Sequence, residues 1–270
     1  MLDGYWDSVA IFVGINVLMG MSLYIPMAAG LISLGQGGFM AIGAYTSAML
    51  TKEGFSLALA LPAGAGLAAL AGLIVGAPAL RVRGIYLMIL TLGFGEIVRV
   101  FFLNFEPTGG ATGLGGIPPL SQLHWVVLAC AVAIFIAWRL RGARLGRAMI
   151  AIHEDDVAAE AMGIRLVTVK LFAFALGAGL AGVAGVFYAH QALYIDANQF
   201  DFSRSALTFL YVVLGGPANP LGPVAGAALV TLLPEFLRVV ADWRMTFFGA
   251  LLVAFAIWRP DGLLPAPRFK

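Results

Sequence analysis

The sequence predicts an all-α fold: a polytopic bundle of eight or nine transmembrane helices, one of them short and broken, in a single domain over residues 1–270. Two observations carry that expectation. Hydrophobic residues make up 61% of the chain and charged ones only 11%, whereas a water-soluble domain carries roughly a quarter charged residues. Apolar runs of roughly 17 to 24 residues also recur along it, each long enough to cross a hydrocarbon layer about 30 Å thick. Backbone facing lipid must satisfy its own hydrogen bonds, so helices are the element expected.

Taken in order, the apolar runs between polar and Gly/Pro breaks predict helices near 8–31, 35–51, 56–78, 84–103, 124–141, 168–190, 204–215, 221–238 and 244–258. The first follows MLDGYWDSVA, which carries Asp3 and Asp7 and no Lys or Arg. A cleavable signal peptide needs a basic start, so this span is expected to be retained. The seventh, RSALTFLYVVLG, offers only about 18 Å of helix, too short to cross alone. It runs into GGPANPLGP, so a broken helix is expected, hinged at Gly215, Gly216, Pro217, Pro220, Gly222 and Pro223. Irregular backbone survives at membrane depth only against protein or a water-filled cavity. If that helix is re-entrant, the crossings number eight.

Lys and Arg placement sets the expected orientation. With residues 142–167 in the cytoplasm, that side gathers Arg81, Arg83, Arg139, Arg141, Arg144, Arg147, Arg165, Lys170, Arg259, Arg268 and Lys270, eleven of sixteen basic residues. The other side receives nine of the fourteen acidic residues. The N-terminus is therefore expected outside and the C-terminus inside. The net charge of +2 gives no support to nucleic-acid binding.

Lipid tails provide no hydrophobic drive between helices, so small residues must let them approach closely. Gly64, Ala68 and Gly72 fall at four-residue spacing, as do Gly177, Ala181 and Gly185, and both stripes are expected to pack within the chain rather than at a subunit interface. Cys130 has no partner for a disulfide, and its place inside an apolar run argues against redox chemistry. His124, His153 and His190 show no ligand spacing, so no metal site is expected. PTGGATGLGGIPP lacks the closing Lys-Ser/Thr of a phosphate loop and follows a membrane helix, so it is expected to be an external loop. Glu96 and Arg99, at i and i+3 in the outer half of the fourth span, are expected to form an ion pair, with a path-lining role as the alternative.

Between the fifth and sixth long spans stands HEDDVAAEAMGIR, with four of the fourteen acidic residues in seven positions. As a helix it places Val157, Ala158, Ala161, Met162 and Ile164 on an arc of about 160°. Asp156 and Glu160 point away, Glu154, Asp155 and Asp156 fill the first turn where the helix dipole favours them, and Gly163 is a C-terminal stop. Such a shallow face fits the groove of another protein and is too weakly apolar to anchor in lipid. From composition alone, an ordinary solvated helix remains the equal alternative.

The chain resembles the M-type permease subunits of ATP-binding-cassette importers for branched-chain amino acids. The motifs that carry the resemblance are LISLGQGGFMAIGAYTSAML (31–50), RVRGIYLMILTLGFGEIVRV (81–100), TGGATGLGGIP (108–118), GRAMIAIHEDDVAAEAMGIRLVTVKLFAF (146–174), VLGGPANPLGPVAGA (213–227) and RPDGLL (259–264). They run in family order through nearly the whole chain, with a short N-terminus for this type. The resemblance implies a multi-pass protein of the bacterial inner membrane, with residues 142–167 as a cytoplasmic coupling segment. Within it Glu154, Asp155, Val157, Ala158, Ala159, Glu160, Ala161, Met162 and Gly163 form the coupling helix docked on ATPase subunits. Glu160, Ala161 and Gly163 give a compressed form of the usual Glu-Ala-Ala…Gly signature, with Met162 in place of the second alanine.

A second permease and a periplasmic or lipid-anchored solute-binding protein are the other partners implied, the latter docking on 104–123 and 191–203. No cofactor is expected, since the chain has no Walker A motif and ATP would be used by the partner subunits. Asn16, Gln36 and Glu96 are the expected translocation-path residues. A urea or amide permease of the same superfamily, or an ion-coupled secondary transporter, are the alternatives.

Overall fold

The structure, a computed structural model, describes residues 2–82, 84–236, 249, 253 and 262–264. Its helices run α1 (Leu2–Met27), α2 (Gln36–Lys52), α3 (Leu57–Ala79), α4 (Ile85–Asn104), α5 (Leu123–Gly142), α6 (Arg144–Glu154), α7 (Asp156–Ala161), α8 (Leu166–Ala192), α9 (Phe202–Gly215) and α10 (Gly222–Phe236). Among the described residues, α1, α3, α4, α5 and α8 are each long and apolar enough to cross a membrane. Of the helix expected near 244–258 only residues 249 and 253 are described, and Arg83, Arg238, Arg244, Arg259, Arg268, Lys270 and the start of the RPDGLL motif lie outside the described residues.

The middle of the bundle is α8, with α1, α2 and α3 packed along it. Glycines make this contact a backbone-to-backbone one. A Cβ built on Gly43 of α2 would lie 2.2 Å from the carbonyl oxygen of Gly182, and one on Gly182 would lie 2.6 Å from the Cβ of Ala68. Both predicted stripes are buried within the chain, yet against different partners. On α3, Gly64 and Gly72 meet the Val186 and Ala178 side of α8, while Gly177 and Gly185 press on Ser22 of α1 and Met40 of α2. The outer helices α3, α4 and α5 turn large apolar residues outward, among them Leu70, Ile74, Ile89, Ile97, Leu128, Phe135 and Trp138.

The structure differs from the apolar pattern in the first helix, which begins at Leu2 rather than near residue 8, and in the segment before the foot. The first helix stops at Met27, short of the expected 31, because Gly30 adopts φ +74°. Leu31 N–H then bonds Pro26 C=O and Gly30 N–H bonds Met27 C=O, both at 3.0 Å, which satisfies the orphan carbonyls of the last turn. Residues 144–154, expected as loop, are the amphipathic helix α6, with Met149 and Ile152 buried while Arg144 and Arg147 are exposed.

The ends of the bundle differ. At the end where α1 begins, the predicted loop 104–123 is an ordered cap. Its Leu114–Gly115 (β1) pairs antiparallel with Tyr194–Ile195 (β2). Lys52 Nζ donates to Gly115 O at 3.0 Å, Tyr194 Oη to Thr112 O at 2.8 Å, and His190 Nδ1 to Pro118 O at 2.9 Å. The opposite end carries α6 and α7 beside the α9–α10 turn.

Candidate functional site

The acidic segment forms a foot at that opposite end. Asp155 breaks the backbone between α6 and α7 at φ −155°, ψ 110°, and its Oδ1 accepts the N–H groups of Val157 (2.8 Å) and Ala158 (3.0 Å). This is an N-cap, which sets where the helix starts. The expected first turn is therefore corrected: Glu154 closes α6 and Asp155 is the cap, so only Asp156 stands in the first turn. At the far end Gly163 takes φ +81°, with Ile164 N–H on Ala159 C=O at 3.1 Å and Gly163 N–H on Glu160 C=O at 2.9 Å. That is the C-terminal stop expected of it.

Asp156 does not point into solvent as the helical wheel implied. Both its oxygens accept from Lys170 Nζ, at 2.8 and 2.9 Å, and so tie the foot to α8. Ala159, only 3% exposed, is the side chain that seats α7 on the bundle. The apolar arc divides accordingly. Ile164 packs against the core, while Val157 (70% exposed) and Met162 (83%) stand out with exposed Ala158 and Ala161. Glu160 is exposed as expected. The result is a small apolar surface with a firm base.

The short helix α9 starts at Phe202, capped by Asp201, whose Oδ1 accepts Arg204 N–H at 3.3 Å. Ser205 Oγ beside that end accepts Gly37 N–H at 2.9 Å, so α9 begins against the start of α2. Its other end breaks at Gly216, φ +105°, and the chain reverses through Pro217, Asn219 and Pro220 into α10. A Cβ on Gly215 would meet Gly222 O at 1.8 Å and one on Gly226 would meet Tyr211 O at 2.0 Å, so the predicted hinge glycines form a corner that no larger residue fits. Pro223, in the first turn of α10, packs against Gly20 of α1. The two N–H groups of Leu263 and Leu264, at 2.9 and 3.0 Å, satisfy the last carbonyls of α9, Leu214 O and Gly215 O. This gives the end of the RPDGLL motif a role that its sequence did not announce.

The three expected path residues fall on separate seams. Asn16 Nδ2 donates to Thr231 Oγ1 at 2.9 Å, joining α1 to α10. Gln36 is 1% exposed and accepts from Ser22 Oγ at 3.2 Å, joining α1 to α2. Glu96, 48% exposed, accepts from Arg99 Nε at 2.9 Å, so the expected ion pair is present. Arg99 also reaches Asn198 Oδ1 at 2.7 Å, and Asn198 Nδ2 in turn donates to Asp196 Oδ2 at 3.1 Å. Beside this network Arg204 lies 4.7 Å over the Tyr188 ring, close enough for a cation–π contact. The participation of 196–204 was not legible, because nothing local in that stretch points to α4.

Comparison with known proteins adds to this geometry. The permease protein LivM of the high-affinity branched-chain amino acid transport system of Escherichia coli K12 is 36% identical over 94% of this chain and 67% of its own length. The LivM of Salmonella typhimurium LT2 is 35% identical over the same shares. More distant is the autoinducer 2 import system permease protein LsrC of Shigella flexneri, 27% identical over 93% of this chain and 77% of its own. No solved structure matches. A family described as the permease component of branched-chain amino acid transport systems matches residues 5–256, and the chain belongs to that family.

Proposed function

We propose that this permease subunit of an ATP-binding-cassette importer moves branched-chain or related amino acids along a path shared with a second permease, powered through the foot at 155–163. ATP is bound and hydrolysed by partner subunits at the cytoplasmic face. A solute-binding protein delivers substrate to the opposite face, at 104–123 and 191–203. The N-terminus lies outside, and the uneven placement of Lys and Arg supports that sense. Substrate identity rests on the 36% identity to a branched-chain amino acid permease, against 27% for an autoinducer 2 permease.

The observation that carries the reading is the exposed face of α7. Val157, Ala158, Ala161 and Met162 project from a helix held by Ala159 and the Asp156–Lys170 pair. An apolar face on a helix this short gains nothing in water, and a groove in another protein is what it fits. When that groove closes on ATP binding, the foot is pulled and the bundle rocks between outward- and inward-open arrangements.

The test is a reconstituted complex carrying Ala158→Arg and Ala161→Arg. Loss of substrate-stimulated ATP hydrolysis in a folded permease is expected, and undiminished stimulation would defeat the docking role. Uptake of labelled leucine into the same vesicles tests the substrate class, with urea and autoinducer 2 as competitors.

A further inference from the structure

We propose that Arg141 is the positioning residue that links the foot to the broken helix. The inference rests on the docking role of α7 and extends it inward. Arg141 stands in the last turn of α5, and its guanidinium donates to Ala218 O at 2.6 Å, across 77 positions of sequence. Ala218 lies in the turn between α9 and α10, the corner that Gly215, Gly216 and Gly222 make possible.

On the foot side the connection is stiff. At Ala143 the chain turns from α5 into α6 so tightly that a Cβ on Gly146 would lie 1.9 Å from Leu140 O. The end of α5 and the start of α6 therefore move together, and α6 leads through Asp155 directly into the foot.

On the broken-helix side, neither α9 nor α10 is a main packing partner of α6 among the described residues. The main packing partners of α6 are α5, α7 and α8. Between α6 and the turn lies a cavity of about 340 Å³, bordered by Tyr24, Met149, His153, Pro217 and Ala218. Arg141 also lines that cavity, and its charged hydrogen bond to Ala218 O joins the α5–α6 corner to the turn. A guanidinium suits this task because its planar donors hold a fixed direction, which a lysine ammonium on a flexible stem does not. The turn is also gripped from its other side, where Leu263 and Leu264 bond the last carbonyls of α9. A pull at Ala218 therefore swings α9 as a unit, and α9 begins beside the start of α2 in the interior.

The experiment uses the whole importer in vesicles, with both permeases, the ATPases and the binding protein. The quantity read is substrate transported per ATP hydrolysed. Arg141→Ala is expected to lower that ratio at least about tenfold, the scale of one lost charge-assisted hydrogen bond, with assembly and basal hydrolysis retained. Arg141→Lys should recover part of the loss, and Arg139→Ala, at an exposed position two residues earlier in the same turn of α5, should leave the ratio as in the native chain.

A purely structural role would lower yield or melting temperature without changing the ratio in the complexes that form. Should Arg141→Ala fail to assemble, Arg141→Lys carries the test, and a native ratio in whichever variant assembles overturns the proposal. The paired control is Ala158→Arg with Ala161→Arg. If that control uncouples and Arg141→Ala does not, the link is wrong while the foot stands. If neither uncouples, the docking role itself has failed.

Discussion

Along α8 and along α7 the chain solves opposite problems. The α8 seam is held over its length by backbone against backbone, with Gly43 against Gly182, Gly185 against Met40 and Gly177 against Ser22. The foot is held by a few separate contacts, among them the seat of Ala159, the packing of Ile164 and the Asp156–Lys170 pair, with the cap at Asp155 fixing where its helix starts. Extensive contact makes a seam that cannot shift without losing many small attractions at once. A few discrete tethers leave a helix whose outer face, with Val157 and Met162, is exposed. The contrast separates a continuous backbone seam from a helix attached at points.

The sharpest way to break the comparison is to wedge the seam. Gly43→Val places carbon where Gly182 O already lies, and a loss of about 3 kcal/mol or more is expected from overpacking against backbone. Thermal melting of the purified permease in detergent measures it, and a melting temperature near native would mean that α2 and α8 slide apart easily.

Smaller effects are expected at the foot. Gly163→Ala forces a Cβ onto a residue at φ +81° and should cost about 1 kcal/mol. Asp155→Ala removes the N-cap and should cost about 1 kcal/mol locally. Neither should melt the seam, so hydrogen exchange at the Val157 and Ala158 amides is the informative measurement, with faster exchange expected there and unchanged exchange along α8. Exchange that rises everywhere would erase the distinction between the two regions.

Smallest of all is the side-chain contact at Asn16. A double-mutant cycle of Asn16→Leu with Thr231→Val should give a coupling near 0.6 kcal/mol, the usual scale for interhelical hydrogen bonds in membranes. A value several times larger would show that this seam leans on polar contacts as well as on glycine.

Much of this architecture was legible from local pattern. The helices α2, α3, α4 and α5 begin and end within a residue or so of their apolar runs, because the membrane demands a fixed apolar length and the run itself encodes it. Gly163 as a stop was likewise readable, since the left-handed conformation favours glycine. The end of α1 was misjudged because apolar character continues past Gly30, and hydrophobicity is blind to a backbone reversal. Helix α6 was missed because its basic residues resemble a solvated loop until Met149 and Ile152 find the bundle.

What the sequence determined by itself is everything set by neighbours along the chain: membrane residence, the five long apolar helices among the described residues, the broken seventh helix and a short acidic helix between two long ones. Length, period and glycine conformation act over a few residues, so they survive in the linear text. Tertiary structure alone decided that Asp156 turns inward to Lys170, that Asn16 answers Thr231, that Arg99 reaches Asn198 and that Arg141 grips Ala218. Each of those bonds joins positions between 14 and 215 residues apart. No local preference specifies such a partner until the helices have packed and brought it within reach.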